Sequence, residues 1–371
     1  MHPFRATWFL LLLLAGTTSP FPAAALAAAP TVTGSGAGWS PLDTGMDGSV
    51  NDVVVFRGQL VAVGGFRHAS GVAADRIARW NGGAWEAFPG GGADGGLRLA
   101  VAYGDRLVVA GSFDSIGGVA ADGLAQWDGN HWSALPGNFF ISIDAMVVHA
   151  GQLVIAGIWL VDGPMEHIAR WNGSSWSALG SGLDDSIDAL GVHDGQLYAS
   201  ADLPWPDMDP AIWRFDGSAW SVFEDQLDDT VYAFGSFDGQ LVAAGRFTSI
   251  GGVGANNIAR WNGSGWSPLG SGLGNGLPNQ TVKALGSYNG QLWAGGYFET
   301  AGGTPAGHVA RWNGSAWSSP GSGADYTVSA FVPFGGTLVT SGAFAEMDGQ
   351  PVNYIAAWHE DPVFGDGFER P

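Results

Sequence analysis

The sequence predicts an all-β fold, a seven-bladed β-propeller with four strands in each blade. One observation is a near-repeat of nine residues, seen as IARWNGGAW from Ile77, IARWNGSSW from Ile168 and IARWNGSGW from Ile258. Another is the composition, since 61 glycines, 46% hydrophobic residues and only 13% charged residues are typical of short strands joined by tight turns. The third is the period, because four-stranded units of about 46 residues are propeller blades.

Two columns of aromatic residues set the number of blades. One column is the aromatic of the ARW element, at Trp80, Trp127, Trp171, Phe215, Trp261, Trp312 and Trp358. The other is the tryptophan after the following turn, at Trp39, Trp85, Trp132, Trp176, Trp220, Trp266 and Trp317. Each column has seven members, so we expect seven blades.

The ends of the two columns are out of phase, which predicts how the ring closes. Trp39 has no ARW element before it, and Trp358 has no partner tryptophan after it. We therefore expect GWSPL, Gly38 to Leu42, to be the outermost strand of the last blade. An open solenoid is the alternative, but it would need atypical capping units, and the sequence shows none.

Each unit predicts four strands in the same order, as the fifth unit illustrates. Thr230 to Phe237 alternate as a first strand, and the turn dipeptide Asp238-Gly239 accepts the positive φ angles of a tight hairpin. Gln240 to Gly245 form the second strand. A longer loop then leads to IARW as the third strand, and an Asn-Gly-Ser turn leads to the fourth.

The chain divides into a signal peptide over 1–27, a linker over 28–37, the propeller over 38–360 and a C-terminal tail over 361–371. The first segment carries Arg5, an apolar run from Thr7 to Gly16 and a small-residue cleavage site at Ala25-Leu26-Ala27. That run is short for a membrane span, although an uncleaved anchor is the alternative. We expect a secreted or periplasmic protein without membrane insertion, whose DGFE tail is either a sorting tag or a frayed end.

Charge and cysteine content narrow the partners. The chain has no cysteine, so no disulfide can form and the core must hold the fold. Its formal net charge of −20 argues against nucleic acid and anionic membranes as partners. An extracellular glycan or protein is the expected partner, and we expect a monomer.

The run GQLVAAGRFTSIGGVGANNIARWNG, Gly239 to Gly263, resembles kelch-like and delta-sixty-type repeats and is similar to the fungal cortical-marker propellers. The resemblance covers about residues 38 to 360. It implies a propeller like the central domain of galactose oxidase. The copper site of that enzyme needs a tyrosine cross-linked to a cysteine, so its activity is not implied here. Propellers serve as enzymes, lectins and scaffolds alike, so the resemblance predicts fold rather than function.

Position two of the predicted first strand varies in chemistry from blade to blade. Because the innermost strands of a propeller surround its central channel, we expect these side chains to ring the mouth formed by the long loops. They are candidates for ligand binding, and ordinary solvated strand ends are the alternative. The residues are Asn51, Arg98, Asp144, Asp188, Tyr232, Lys283 and Ser329.

One long loop, DLPWPDMDP over Asp202 to Pro210, breaks the repeat. Its tryptophan has no place in the repeat, and flanking prolines hold it stiffly. A tryptophan beside carboxylates suits a sugar face or a basic peptide. Carboxylates could also hold Ca²⁺, although their spacing matches no complete calcium loop; the alternative is a loop that packs over its blade. The candidates are Trp205, Asp207, Asp209, Asp184 and Asp185.

Two functional hypotheses follow. The first is a non-catalytic binding or interaction module that holds a glycan or a protein at the long-loop face or channel mouth. It rests on the packing role of every recurring residue and on the absence of a recognisable catalytic motif or cofactor motif. The second is a polysaccharide-acting hydrolase or lyase, for which the carboxylates Asp144, Asp188, Asp207 and Asp209 are the candidates.

Overall fold

The computed structural model describes residues 36–137, 142–158, 165, 167–202, 209–277 and 279–360. Within these ranges every regular element is a β-strand. The predicted signal peptide, most of the linker and the tail lie outside the described residues, as do Trp205 and Asp207. In the described part of the chain, no helix has the length and apolar character to cross a bilayer.

Blades 1 to 3 follow one another along the chain, after a first strand that belongs to the last blade, β1 (Gly38–Pro41). Blade 1 contains β2 (Val50–Phe56), β3 (Gln59–Gly64), β4 (His68–Ala69), β5 (Val72–Ala73), β6 (Ile77–Trp80) and β7 (Trp85–Ala87). Blade 2 contains β8 (Gly96–Tyr103), β9 (Arg106–Ser112), β10 (Ser115–Ile116), β11 (Val119–Ala120), β12 (Leu124–Trp127) and β13 (Trp132–Ala134). Blade 3 contains β14 (Ser142–His149), β15 (Gln152–Ile158), β16 (Ile168–Trp171) and β17 (Trp176–Ser177).

Blades 4 to 7 continue the same pattern. Blade 4 contains β18 (Ile187–His193), β19 (Gln196–Asp202), β20 (Pro210–Phe215) and β21 (Trp220–Glu224). Blade 5 contains β22 (Val231–Phe237), β23 (Gln240–Gly245), β24 (Ser249–Ile250), β25 (Val253–Gly254), β26 (Ile258–Trp261) and β27 (Trp266–Pro268). Blade 6 contains β28 (Thr281–Tyr288), β29 (Gln291–Tyr297), β30 (Thr300–Ala301), β31 (Thr304–Pro305), β32 (Val309–Trp312) and β33 (Trp317–Ser318). Blade 7 contains β34 (Val328–Phe334), β35 (Thr337–Gly342), β36 (Glu346–Met347), β37 (Gln350–Pro351) and β38 (Ile355–His359).

Each blade is one antiparallel four-stranded sheet. In blades 1 to 6 the strands follow chain order from the innermost to the outermost, and in blade 7 the outermost strand is β1. The short pairs such as β4–β5 and β24–β25 are small hairpins inside the loop between the second and third strands. In every blade except blade 2, the turn from first to second strand has positive φ at both central residues, for example 50° at Asp238 and 69° at Gly239. This geometry favours Asp-Gly and Asn-Gly, which confirms the predicted hairpin turns.

The ring is closed by the N-terminal strand. β1 pairs antiparallel with β38, from Gly38 opposite His359 to Pro41 opposite Ala356, and so completes the sheet β1-β38-β35-β34. The innermost strands of adjacent blades contact each other around the whole ring, including β34 with β2. The predicted seven-bladed propeller, closed by the strand that contains Trp39, is therefore confirmed.

The core lies between adjacent blades rather than at one centre. Val61 and Val63 of β3 pack with Leu107 and Val109 of β9 in one apolar cluster that joins blades 1 and 2. The second strands are buried along almost their whole length because both of their faces are covered. At the end of β23, a Cβ on Gly245 would lie 2.1 Å from the Thr230 carbonyl oxygen, so the close approach of the first strand requires glycine.

The repeated aromatics form facing pairs between the third and fourth strands. Trp261 stands opposite Trp266, with ring centroids 5.6 Å apart in an edge-to-face arrangement. The second tryptophan also ties its blade to the preceding one, as Trp317 Nε1 donates a hydrogen bond to the Leu269 carbonyl oxygen at 2.7 Å. Equivalent bonds come from Trp39, Trp85, Trp132, Trp176 and Trp220. The near-repeat is therefore a packing and blade-to-blade device.

The arginine of the ARW element also has a structural role. Arg79 forms an ion pair with Glu86 at 3.1 Å. Arg311 pairs with Glu360 at 3.2 Å and lies over the ring of Trp358, 5.2 Å from its centroid. Both arginines thus pair with a carboxylate, and Arg311 also stacks on tryptophan.

Removal of β1 should open the ring. We expect a chain that starts at Asp43 to be less stable than one that starts at Gly36, because β38 loses its partner strand and Trp358 loses Trp39. At about 25 cal/mol per Å² of apolar area, the half-buried Trp39 alone contributes about 2–3 kcal/mol. Chemical denaturation and size-exclusion chromatography of the two chains would measure the difference. Equal unfolding midpoints and equal elution volumes would contradict the closure.

Candidate binding site at the channel mouth

A β-bulge at position two of every innermost strand builds the mouth of the channel. In blade 1 the pairing of β2 with β3 shifts between Val50 and Asp52, so that Asn51 is left unpaired. The same shift occurs in the other six innermost strands. A bulge frees one side chain from the alternation of the strand. Position one, such as the fully buried Val50, stays in the core while position two faces the mouth.

The structure places all seven position-two residues around a single cavity of about 930 Å³. The second strands and the loops that lead into the first strands form the upper wall. From these, sequence reasoning missed Ser112, Asn279, Tyr297 and Tyr326, which also line the cavity. Ser112 and Tyr297 end second strands, while Asn279 and Tyr326 lie just before first strands, where no repeat column drew attention to them. A cavity of this volume lies in the range of small-ligand sites.

Two side-chain links tie neighbouring blades across the ring of position-two residues. Asn51 Nδ2 donates a hydrogen bond to the Leu97 carbonyl oxygen at 2.8 Å. Arg98 forms an ion pair with Asp144 and donates to Ser142 Oγ at 3.1 Å. Asn51, Arg98 and Asp144 therefore hold the floor of the mouth in place as well as line it, and the charge of Asp144 is compensated.

Carboxylates gather on the side of the mouth formed by blade 4. Burial, with the charges of Asp202 and Asp144, raises the pKa of Asp188 to about 6. Burial and the nearby Asp185 and Asp209 raise the pKa of Asp202. The structure thus brings together Asp188, Asp185 and Asp209 from the predicted set, and adds Asp202 at the end of β19. In blade 5 the equivalent of Asp202 is Arg246, whose pairing with Asp229 at 2.7 Å cancels one charge.

Asp184 occupies a column with a structural role in other blades. In the equivalent position, Asp47 accepts hydrogen bonds from the backbone N–H groups of Arg67 and His68 at 2.7 and 2.8 Å. The same bonds fix the small hairpin of the second-to-third loop in three more blades, through Asp94, Asp228 and Asp325. The corresponding loop of blade 4 includes residues outside the described ranges. Asp184 therefore stands at the repeat position whose aspartates cap this loop in four other blades. The sequence alone did not distinguish this capping position from the ligand candidates.

The remaining candidates of the blade-4 loop, Trp205 and Asp207, lie outside the described residues, so their binding role stays a prediction. In the part of the chain that the structure describes, no three His, Asp or Glu side chains form a group that could hold a metal ion. Because Asp207 is not among the described residues, the Ca²⁺ alternative stays a prediction.

Asp52 occupies position three of β2, where the other blades have alanine or leucine. Its carboxylate accepts hydrogen bonds from the Val53 N–H at 2.8 Å and from the Ala100 N–H of blade 2 at 2.9 Å. Burial raises the pKa of Asp52 to about 7, and these two backbone bonds oppose the rise only in part. Asp52 thus links two innermost strands, and the burial of its charge disfavours ionisation although both hydrogen bonds favour it.

Comparisons with known proteins agree with this fold. A family model described as a β-propeller domain of unknown function, DUF5122, matches residues 238–265, which lie in blade 5. No curated protein matches the chain significantly.

Three solved structures are similar to this chain over most of its length. The WD40 β-propeller domain of Doa1 has a TM-score of 0.55 and 12% identity, over 88% of this chain and 98% of its own. The extracellular domain of the hybrid two-component system BT4673 from B. thetaiotaomicron has a TM-score of 0.53 and 10% identity, over 90% of this chain and 42% of its own. The computationally designed Ika8 protein has a TM-score of 0.53 and 13% identity, over 86% of this chain and 100% of its own. At these identities the likeness shows the fold alone, which is a β-propeller.

Replacement of Asp52 by alanine should change stability in a pH-dependent way. The folded-state pKa of about 7 lies above 3.8, the ordinary pKa of an aspartate side chain. Ionisation of Asp52 therefore leaves the free energy of unfolding of the wild-type protein unchanged below about pH 4 and lowers it progressively between pH 4 and 7. Above pH 7 the loss is constant, on the order of 4 kcal/mol at most. We expect the free energy of unfolding of Asp52→Ala, relative to wild type, to rise by on the order of 2–4 kcal/mol from pH 4 to pH 8. Urea unfolding at pH 4, 6 and 8 measures this.

Asp228→Ala is the matched control. Burial alone would raise the pKa of Asp228, but hydrogen bonds from Thr248 and Ser249 lower it below its usual value. Its carboxylate is therefore ionised in both states above about pH 5, and its stabilising effect is lost only at lower pH. We expect the Asp228→Ala difference to be constant from pH 6 to pH 8. A pH-independent difference for Asp52→Ala would contradict a buried carboxyl group whose ionisation destabilises the fold.

Proposed function

We propose that this protein is an exported, non-catalytic binding module of the kelch-like propeller class that holds a saccharide at the mouth of its central channel. The observation that carries the proposal is the cavity itself. Its lining includes a ring of seven polar side chains of varied chemistry, whereas the neighbouring positions of the same strands, apart from Asp52, repeat apolar residues. A rigid scaffold with variation confined to one face is typical of a binding surface.

Shape and rim chemistry favour a saccharide over a folded protein. The cavity is concave and about 930 Å³ in volume, while stable protein–protein contacts need about 800 Å² from each partner and are usually flatter. Tyr326 is 52% exposed on the rim. An exposed aromatic face surrounded by amides, hydroxyls and carboxylates can pack against a sugar ring while its hydroxyls are hydrogen-bonded.

Export and a monomeric state belong to the same proposal. Their support is the predicted signal peptide over 1–27, the absence of cysteine and the acidic net charge of −20. A closed ring needs no second copy to cover an open end.

A second candidate function is a polysaccharide-acting hydrolase or lyase at the same mouth. The observation in its favour is the environment of Asp188. Burial, together with the nearby Asp202 and Asp144, raises the pKa of Asp188 to about 6, which is a value suited to a general acid. If the protein releases reducing ends from a polysaccharide, the rate should fall above pH 6 and be lost in Asp188→Asn. No release from bacterial, plant or host polysaccharides would rule this candidate out.

Binding to an array of bacterial, plant and host glycans tests the proposed function. We expect selective binding by the wild-type propeller and at least a tenfold loss in Tyr326→Ala, because this change removes the exposed ring from the rim. Val222→Ala is the matched control, since Val222 is also exposed but lies on the outermost strand of blade 4. Trp205→Ala tests the blade-4 loop separately.

A blank array for the wild-type protein would reject the saccharide. Capture of a partner from the exported proteome, lost in the mouth variants, would then move the proposal to a protein ligand. Binding that Tyr326→Ala and Tyr232→Ala both leave unchanged would place the site elsewhere.

A further inference from the structure

Lys283 is the only lysine in the 371-residue chain, against 13 arginines. Arginine therefore supplies almost every positive charge of this protein, including the ion pairs and aromatic contacts of the repeat. Lysine differs from arginine in carrying a compact charge on a flexible stem, with three donors that are not fixed in a plane. The single lysine stands at position two of β28, which is one of the seven positions that ring the cavity.

The charge of Lys283 is not compensated within the described residues. The Arg98 guanidinium on the same ring is paired with Asp144, and Arg246 beside the mouth is paired with Asp229. Among the described parts of the chain, Lys283 has neither a hydrogen bond nor an ion pair, and its side chain is exposed to the cavity. It is thus a cation left available in a protein with 34 acidic residues.

A stiff aromatic face stands on the same wall. Tyr326 meets Tyr297 edge to face, with ring centroids 5.7 Å apart. Tyr297 in turn stacks on the buried His308, with centroids 5.0 Å apart and an interplanar angle of 19°. Because two rings support it, Tyr326 can present its face to a ligand with little loss of side-chain freedom.

Blade 6 also has a longer loop into its first strand, and that loop places Asn279 beside the cavity. The loop is held from within, since Gln280 Oε1 accepts a hydrogen bond from the Asn275 N–H at 3.0 Å. Asn257 Nδ2 donates to the Gln280 carbonyl oxygen at 2.9 Å, and both Asn257 and Gln280 are buried. Lys283, Tyr326 and Asn279 therefore form one prepared wall, which we call the lysine wall.

The side of the mouth formed by blade 4, which blade 5 separates from Lys283, carries a group of carboxylates. Asp188, Asp185 and Asp202 would repel an anionic group placed among them. A ligand with one negative group is thereby forced into a single orientation, with that group toward the lysine wall.

We propose that Lys283 binds the carboxylate of an acidic saccharide, a uronate, whose sugar ring lies on Tyr326. This inference rests on the proposed function and names its ligand class. The ammonium group donates to the uronate carboxylate, Asn279 offers an amide to the ring hydroxyls, and the blade-4 carboxylates set the direction of the chain.

Titration calorimetry with a galacturonate trimer and with its carboxyl-reduced, neutral counterpart tests the inference. We expect the wild-type propeller to bind the uronate at least tenfold more tightly than the neutral trimer. Lys283→Met should remove that preference, and Lys283→Arg should restore most of it because the charge is kept. Arg260→Met is the matched control, because it removes the same charge from the third strand of blade 5, away from the cavity.

The outcomes separate this inference from the proposed function. Equal binding of the uronate and the neutral trimer, lost in Tyr326→Ala but unchanged in Lys283→Met, would overturn the role of Lys283 and leave a saccharide-binding mouth in place. A similar loss in Lys283→Met and Arg260→Met would show an effect of net charge alone, and would also overturn it. If the wild type binds neither trimer nor any glycan of the array, both the inference and the proposed function fail.

Discussion

Edge-to-edge pairing of β1 with β38 is the interaction on which the ring depends. It joins residues more than 300 positions apart, since Trp39 stands opposite Trp358 and its indole reaches the Pro320 carbonyl of the neighbouring blade. Without it, blade 7 would lack its outermost strand and the contact of β34 with β2 would have no support from outside. The central cavity exists only because all seven innermost strands are held at the same distance from one axis.

Different positions of the repeat serve packing and the lining of the mouth, so the lining side chains can vary without loss of stability. The tryptophan pairs, the ARW arginines and the buried second strands bind the blades together with residues that hardly change. The bulge at position two then separates one side chain per blade from this packing. Position one stays buried, as at Val50, and position two is free to be a cation, an acid, an amide or a tyrosine. Asp52 is the exception at position three, because the other six blades have an apolar residue there.

The sequence predicted most of the fold because the determinants are local and repeated seven times. Asp-Gly and Asn-Gly turns, facing tryptophans and the unpaired Trp39 each have a direct geometric meaning, and the structure shows all three. The ring of position-two residues could be located for the same reason.

The β-bulge that exposes these residues could not be predicted, because an extra residue in one strand is visible only when the strand is compared with its partner strand. Tyr297, Tyr326 and Asn279 were missed because they lie just outside the repeated columns. Asp184 was grouped with the ligand candidates because the capping role of its column is visible only in the structure. There, the equivalent Asp47 and Asp228 accept hydrogen bonds from backbone N–H groups of the loop.

The strand register of the closing blade also determines how the cavity is oriented when the protein is immobilised through either end. β1 starts at Gly38 and β38 ends at His359, and these two residues are direct neighbours on the face of the tight turns. The long loops and the cavity lie on the other face. The described chain thus enters and leaves the ring at one point, on the side away from the mouth. A tether at either end, whether on a sensor chip or on a bead, leaves the cavity facing the solution, so immobilised protein is suited to ligand capture without a change of geometry.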